Sequence, residues 1–557
     1  MNRVYSLALI ASLTMSPISL AAEQADVIIT NAKIYGYDDA DAIAIYDGNI
    51  VYVGNTPEVN AYRTSTTNII NVEQAFVMPG FIDNHNHVFE AASEAGGNCE
   101  LNMDASLEEQ TPYLKACRKQ AKSNEWLMGY GFSLDAILSE DNRYTPLEVI
   151  DRIFPDQPVV IMEQTSHSMW VNSAALKQAG ISKYSQEPQG GKILKDDETG
   201  ELNGILLDNA GDIVMEMAWN SLESQFDQSY EGLMAGLEEA AAHGITTIGD
   251  GRLYWKRGWY EVWKQAEEKG NLTARVSLRP WIYPADSMEP QLTFLKKIQS
   301  SDKSRLLLVD QVKMYSDGIF INGTAKTLAP YLDTYIPDEP YGINYIPPQQ
   351  MKIWLDELNQ IGYSAHIHAI GDGGIRESLN AIEYVRSQGA DKPYTLTHVE
   401  LVNSKDVPRF AKLNVTADFQ LGSDYVAYHD HKWAEVFLGA KRTRAMMNLK
   451  AIFDTGANVS LSSDWNVHDI NPLVGIANSL KMGKTGLPDI HSAIDAYTTN
   501  AAESLGISDI TGSIEVGKSA DFAILEHDIT RLRVGEIADT KILMTMLQGN
   551  IVFDSEE

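Results

Sequence analysis

Positive charge, cysteine and long apolar runs are all scarce in this chain of 557 residues. Lysine and arginine together number 44 against 76 aspartates and glutamates, a net charge of −32. Binding along a phosphate backbone needs an excess of cations, so nucleic acid is excluded as a partner. The acidity itself names no partner and fits solubility in a salty or external medium. Only two cysteines occur, Cys99 and Cys117. Neither has a neighbouring histidine to activate it, which argues against a thiol nucleophile. Their spacing alone leaves both a bridge and two reduced thiols open. No run reaches the ~20 apolar residues of a membrane-spanning helix.

What is present is an ordinary globular composition, 44% apolar and 22% charged, on a chain long enough for one large domain and a small companion. The first residues have the three parts of a secretory signal: Arg3, an apolar stretch at 7–15, and Ser19-Leu20-Ala21 as a small-x-small cleavage site. A signal over 1–21 predicts a secreted protein, with a bacterial periplasm as its compartment. Residues 26–29 and 42–45 read as short strands, and 46–54 as a hairpin around Asp47-Gly48. Segments 512–514, 520–525 and 547–553 repeat that β pattern at the other end. One small sheet domain built from both termini, 22–78 and 505–557, is therefore expected. Between them, apolar strands alternate with helical stretches such as 230–242 and 349–360. That alternation predicts α/β units with parallel strands and, sustained over 79–504, a barrel. The stretch around 90–215 is too long for one or two such units and predicts an insertion over the barrel mouth.

Chemistry gathers at the predicted strand ends. An apolar run at 75–82 leads into His85 and His87, spaced i, i+2, so both imidazoles project from one face. The strand at 306–314 carries Lys313 near its end. A buried lysine is costly, so it is either paired with a carboxylate such as Asp317 or converted by carbon dioxide to an anionic carbamate. His366 and His368 repeat the strand spacing, and His398 and Asp464 each follow an apolar strand. A hydrogen-bonded core histidine explains any one of these. Four strands in series, each ending in a donor suited to zinc, point to a metal site.

The order His-x-His, Lys, His, His, Asp resembles the amidohydrolase superfamily. The chain is similar in particular to its amidohydrolase family 3 branch, which includes N-substituted formamide deformylase-like enzymes. The matching text includes Pro79-Gly80-Phe81-Ile82-Asp83, Trp170-Val171-Asn172-Ser173, Gly244-Ile245-Thr246-Thr247 and His368-Ala369-Ile370-Gly371-Asp372. Ser463-Asp464-Trp465 and Gly512-Ser513-Ile514-Glu515-Val516-Gly517 continue it, so that nearly the whole mature chain is covered. The resemblance implies a distorted (β/α)8 TIM barrel with a small β-sandwich formed by both termini. It implies metal ligands at His85, His87, Lys313, His368, His398 and Asp464, with His366 an awkward neighbour on the same strand face. Two zinc ions would be bridged by carboxylated Lys313, and Asp464 would be the catalytic acid and base. Departures from the family pattern fall at Gly373, Phe419-Gln420-Leu421 and Asn466, and bear on substrate.

The implied activity is hydrolysis of linear or cyclic non-peptide amides by metal-activated hydroxide. A mononuclear zinc deaminase and a bimetallic esterase or lactonase are the alternatives. His167 and Trp465 are the candidate substrate contacts, each balanced against a structural role. Asp372 fits a helix N-cap. The expected partner is a small-molecule amide, with no nucleic acid and no membrane span; association into a homo-oligomer stays open.

Overall fold

The computed structural model describes residues 24–92, 99–121, 125–139, 142–196, 198–423 and 430–556. The expected signal at 1–21 lies outside them. The architecture is α/β, and its central feature is a succession of parallel strands. Phe81–Asn86, Ile245–Asp250, Arg275–Ser277 and Leu307–Leu308 form one parallel sheet. Gln311–Tyr315, Ser364–Ala369, Tyr394–His398, Val415–Gln420 and Val459–Ser462 form a second. The two are joined where Lys313 N–H donates to Pro280 and its carbonyl accepts from Ile282. Backbone bonds also link the last strand's end to the first: Asp464 N–H reaches the His85 carbonyl at 2.8 Å and His87 N–H the Trp465 carbonyl at 2.7 Å. Helices cover these strands with one apolar face. In Pro348–Gln360, Met351, Trp354, Leu355 and Leu358 are buried, the i, i+3, i+4, i+7 spacing of an amphipathic helix.

The apolar run at 75–82, expected as one strand, is two. Phe76–Pro79 pairs with Phe522–Leu525 and Lys33–Ile34, whereas Phe81–Asn86 joins the parallel sheet. The chain changes sheets at Gly80, where a Cβ would lie 2.2 Å from Thr246 Oγ1. Only glycine lets the strand pass so close to its neighbour. Residues from both ends share one core. Ile29 and Ile45 lie in the four-stranded sheet of 27–71, Val77, Phe522, Ile524 and Met546 in the five-stranded sheet, and all are buried together. The hairpin between Ala42–Tyr46 and Asn49–Gly54 turns on Asp47 (φ 46°) and Gly48 (φ 75°), the left-handed pair that such a two-residue turn requires. Gly512–Ser513–Ile514 is not the strand its sequence suggested; it is a bend that drops Ile514 into this core.

Residues 99–208 build a separate six-stranded mixed sheet, in the order Gly191–Lys195, Leu202–Asp208, Ser168–Val171, Val159–Glu163, Leu127–Phe132, Cys99–Glu100. It has its own core, including Phe132, Ile150, Ile161, Trp170 and Ile205. Cys99 and Cys117 are bridged, with Cα atoms 5.1 Å apart, tying the edge strand to the helix Thr111–Gln120.

Candidate metal centre

Every candidate ligand lies within two residues of the C-terminal end of a parallel strand, all at one end of the assembly. His85 and His87, on alternate positions of the first strand, reach one point together with Asp464. Their Nε2 atoms are 3.1 Å apart, and Asp464 Oδ1 lies 3.2 Å from the first and 3.0 Å from the second. Ligand atoms ~2.0–2.1 Å from a tetrahedral zinc stand roughly 3.3 Å from one another, so this triangle fits a metal ion. Asp464 has φ 55°, a left-handed conformation disfavoured for a residue with a Cβ, and its N–H bond to the His85 carbonyl holds it there.

Lys313 is fully buried, with Nζ 3.2 and 3.3 Å from the two ring nitrogens of His85. Burial holds the amine well below the usual lysine range, despite the opposing field of Asp464. The alternative pairing with Asp317 is not what the structure contains. That carboxylate accepts backbone N–H groups from Lys326, Ile370 and Gly371, and so anchors a loop. Burial lowers His85, His366 and His368 well below the ordinary histidine value and His398 to about 3, so the rings are neutral donors. Burial pushes the Asp464 carboxyl up, but His85 and His87 outweigh this and keep it well below the carboxylate range.

His368 and His398 sit beside this cluster, with ring centroids 4.5 Å apart and His398 Nδ1 3.9 Å from Asp464 Oδ2. His368 Nδ1 is buried without a hydrogen-bond partner, as are the Nδ1 atoms of His87 and His366. His366 lies deeper, its Nε2 2.8 Å from His85 Nδ1. With His85 and Asp418 it forms a second close group of metal-type donors. Asp418, however, already accepts from Thr397, Gln420, Ser460 and Ser462 at 2.6–2.9 Å. Its lone pairs are spent on the protein, whereas Asp464 faces nitrogens only. The first triangle is therefore the better metal cradle.

A cavity opens onto the cluster, lined by His87, Thr165, Ser166, His167, Arg252, Tyr315, His398, Asp464 and Val467. His167 thus stands at the cavity, brought there by the separate sheet, and its ring stacks on Tyr315 at 5.5 Å. Trp465 is half-buried against the main core instead. Asp372 is the first residue of the helix Asp372–Ser387 and not its cap; its carboxylate accepts from Leu328 N–H. Sequence reasoning passed over Tyr315, Arg252, Glu90 and Asp208. Tyr315 stacks on His368 at 4.1 Å, and its hydroxyl accepts from Arg252, which also pairs with Glu90. Tyr315 lies two residues beyond Lys313 on the same strand face, a spacing that could have revealed it. Asp208 carries no local signal.

A model of the amidohydrolase family matches residues 68–553. The chain is 25% identical over 555 residues to N-substituted formamide deformylase of Arthrobacter pascens, covering 95% of this chain and 98% of that protein. It is 27% identical over 525 residues to Protein LONG AFTER FAR-RED 3 of Arabidopsis thaliana, covering 90% and 87% respectively. Among solved structures, an uncharacterized metal-dependent hydrolase from Pyrococcus horikoshii superposes with a TM-score of 0.70 at 20% identity, covering 92% of this chain and 99% of that one.

Proposed function

The chain belongs to the amidohydrolase family, and from that premise we propose that it hydrolyses a small, linear N-substituted amide at a two-zinc centre. It is a metal-dependent hydrolase of carbon–nitrogen bonds. The observation that carries the finer reading is the triangle of His85 Nε2, His87 Nε2 and Asp464 Oδ1, with the neutral amine of Lys313 beside it. His85, His87 and Asp464 would hold one ion, His368 and His398 the other. Lys313 Nζ would add to the carbon of carbon dioxide with loss of one proton, giving an anionic carbamate that would help hold the ions. Bound divalent ions would supply an acidified water and a Lewis acid for the substrate carbonyl. Asp464 would take the proton released by the attacking water and return it to the leaving nitrogen, which departs as a neutral amine.

The scaffold we propose for this reading is a closed barrel of the parallel strands 81–86, 245–250, 275–277, 307–308 with 311–315, 364–369, 394–398, 415–420 and 459–462, beside a β-sandwich made by both termini. The full-length likeness to N-substituted formamide deformylase supports a formamide-type substrate. The Cys99–Cys117 bridge supports export to an oxidising compartment such as the periplasm. No described helix is long and apolar enough to cross a membrane.

The test is metal content together with intact mass under native conditions. About two zinc ions per chain, as the two-metal mechanism requires, and an added mass of one carbon dioxide that disappears in Lys313→Met, are the expected results. Full metal occupancy on an unmodified Lys313 would refute the bridged centre.

A further inference from the structure

His167 has a feature that the metal cluster does not need. Its Nδ1 lies 2.7 Å from Asp208 Oδ1, and Tyr345 donates its hydroxyl to the same oxygen at 3.0 Å. Asp208 is almost fully buried, and its other carboxylate oxygen has no hydrogen-bond partner. Both residues sit where two paired strands end: Asp208 N–H donates to the His167 carbonyl at 2.7 Å, and Ser168 pairs with Leu207. Ser166 (φ 63°), next to His167, and Asp208 (φ 53°) are both left-handed, a conformation unfavourable for residues with a Cβ, so strained backbone places the pair. Tyr315 stacks against the ring from one side, with the His368 ring 5.2 Å away. The imidazole is fixed in position, in rotation and in tautomer.

The tautomer decides the chemistry. A carboxylate only accepts, so Nδ1 of His167 carries the hydrogen. In the neutral ring Nε2 is then a lone pair at the wall of the cavity that also exposes His398 and Asp464. Resting on the proposed amide hydrolysis, we infer that His167 is the specificity residue: its Nε2 accepts the N–H of the scissile secondary amide, with Asp208 and Tyr345 as positioning residues. An ester of the same shape offers an oxygen lone pair at that point and is repelled. A tertiary amide offers a methyl group and collides. The substrate class is thereby narrowed to amides that keep an N–H on the scissile nitrogen.

The experiment compares N-butylformamide, N-butyl-N-methylformamide and butyl formate on the zinc-loaded enzyme and on His167→Phe and His167→Gln. Phenylalanine keeps a ring against Tyr315 and removes the acceptor. Glutamine places an amide oxygen near the Nε2 position. In His167→Phe, kcat/KM for the secondary amide should fall on the order of 100-fold relative to that for the ester, the loss of one oriented hydrogen bond plus the relief of one repulsion. His167→Gln should recover part of that ratio. A merely structural role would lower all substrates together and would lower zinc content as well. Equal losses on amide and ester, or wild-type turnover of the tertiary amide as fast as of the secondary one, would overturn the assignment. A wild-type enzyme that cleaves the ester but neither amide would instead overturn the carbon–nitrogen reading, and the N–H acceptor with it.

Discussion

Reducing the Cys99–Cys117 bridge should loosen one edge of the molecule and leave the parallel strands untouched. Both sulfurs are buried, so the thiols formed on reduction stay packed as small apolar groups and open no cavity. The effect is then the entropy returned to the unfolded segment. A sequence separation of 18 residues corresponds to about 3 kcal/mol in the loop-closure model. The segment lost first is the helix Thr111–Gln120 with the edge strand Cys99–Glu100, which among the described residues is bonded to one neighbouring strand, Leu127–Phe132. Amide hydrogen exchange in that helix should quicken on the order of 100-fold on reduction, while Val415–Gln420 among the parallel strands exchanges as before. Asp208 ends Leu202–Asp208, the second strand from the sheet's other edge, so the ratio of amide to ester turnover should survive reduction. Unchanged exchange in 111–120 after complete reduction would refute the reasoning. So would an equal acceleration in 415–420, which would make the bridge a support of the whole fold.

Two further perturbations test the buried charges. Burial raises the Glu163 carboxyl to about 7, so between its unfolded value and pH 7 the folded chain keeps a proton that the unfolded chain releases. Stability should fall as pH rises through that window, by up to about 3 kcal/mol. Burial raises Asp83 to about 6 and Asp250 and Asp317 to about 7 as well, so Glu163→Gln should remove a part of the dependence in urea titrations from pH 4.5 to 8; an unaltered slope would show that Glu163 does not contribute. Asp418→Ala strips the acceptor from Thr397, Gln420, Ser460 and Ser462 at the centre of the strands. It should cost about 3 kcal/mol in unfolding free energy and weaken metal retention, because Thr397 also touches His85 Nδ1 at 3.2 Å. Unfolding unchanged within 1 kcal/mol would count against a structural role for Asp418.

What could be read in the sequence, and what could not, follows from the range over which each interaction acts. His85 and His87 were legible as a pair because two positions on a strand share a face whatever surrounds them. Lys313, His368, His398 and Asp464 were legible because each closes an apolar run, and parallel strands of one sheet bring their C-terminal ends together. The separation of Phe76–Pro79 from Phe81–Asn86 was not, since an unbroken apolar run conceals that Gly80 lies against Thr246 from a strand 165 residues away in sequence. The roles of His366 and His368 could not be divided either. Alternation puts both on one face, and only depth along the strand separates the ring at His85 Nδ1 from the ring beside His398.

Least legible was the partnership of His167 with Asp208, 41 positions apart in the separate sheet. No periodicity marks it, because the pair depends on an antiparallel register between Ser168–Val171 and Leu202–Asp208 and on two left-handed residues that no composition requires. The two kinds of residue differ in kind. The proposed metal ligands found from sequence stand at the ends of the parallel strands. His167, a substrate-contact candidate from sequence, and Asp208, found only from structure, stand on the separate sheet, with His167 at the cavity wall. If the proposed roles hold, separate elements let one change without the other, so exchanging residues of 99–208 should alter which amide is cleaved while the metal stoichiometry stays the same. A swapped sheet that abolished metal binding would mean that it also supports the ligands, and the division between the His167–Asp208 pair and the metal cluster would fail.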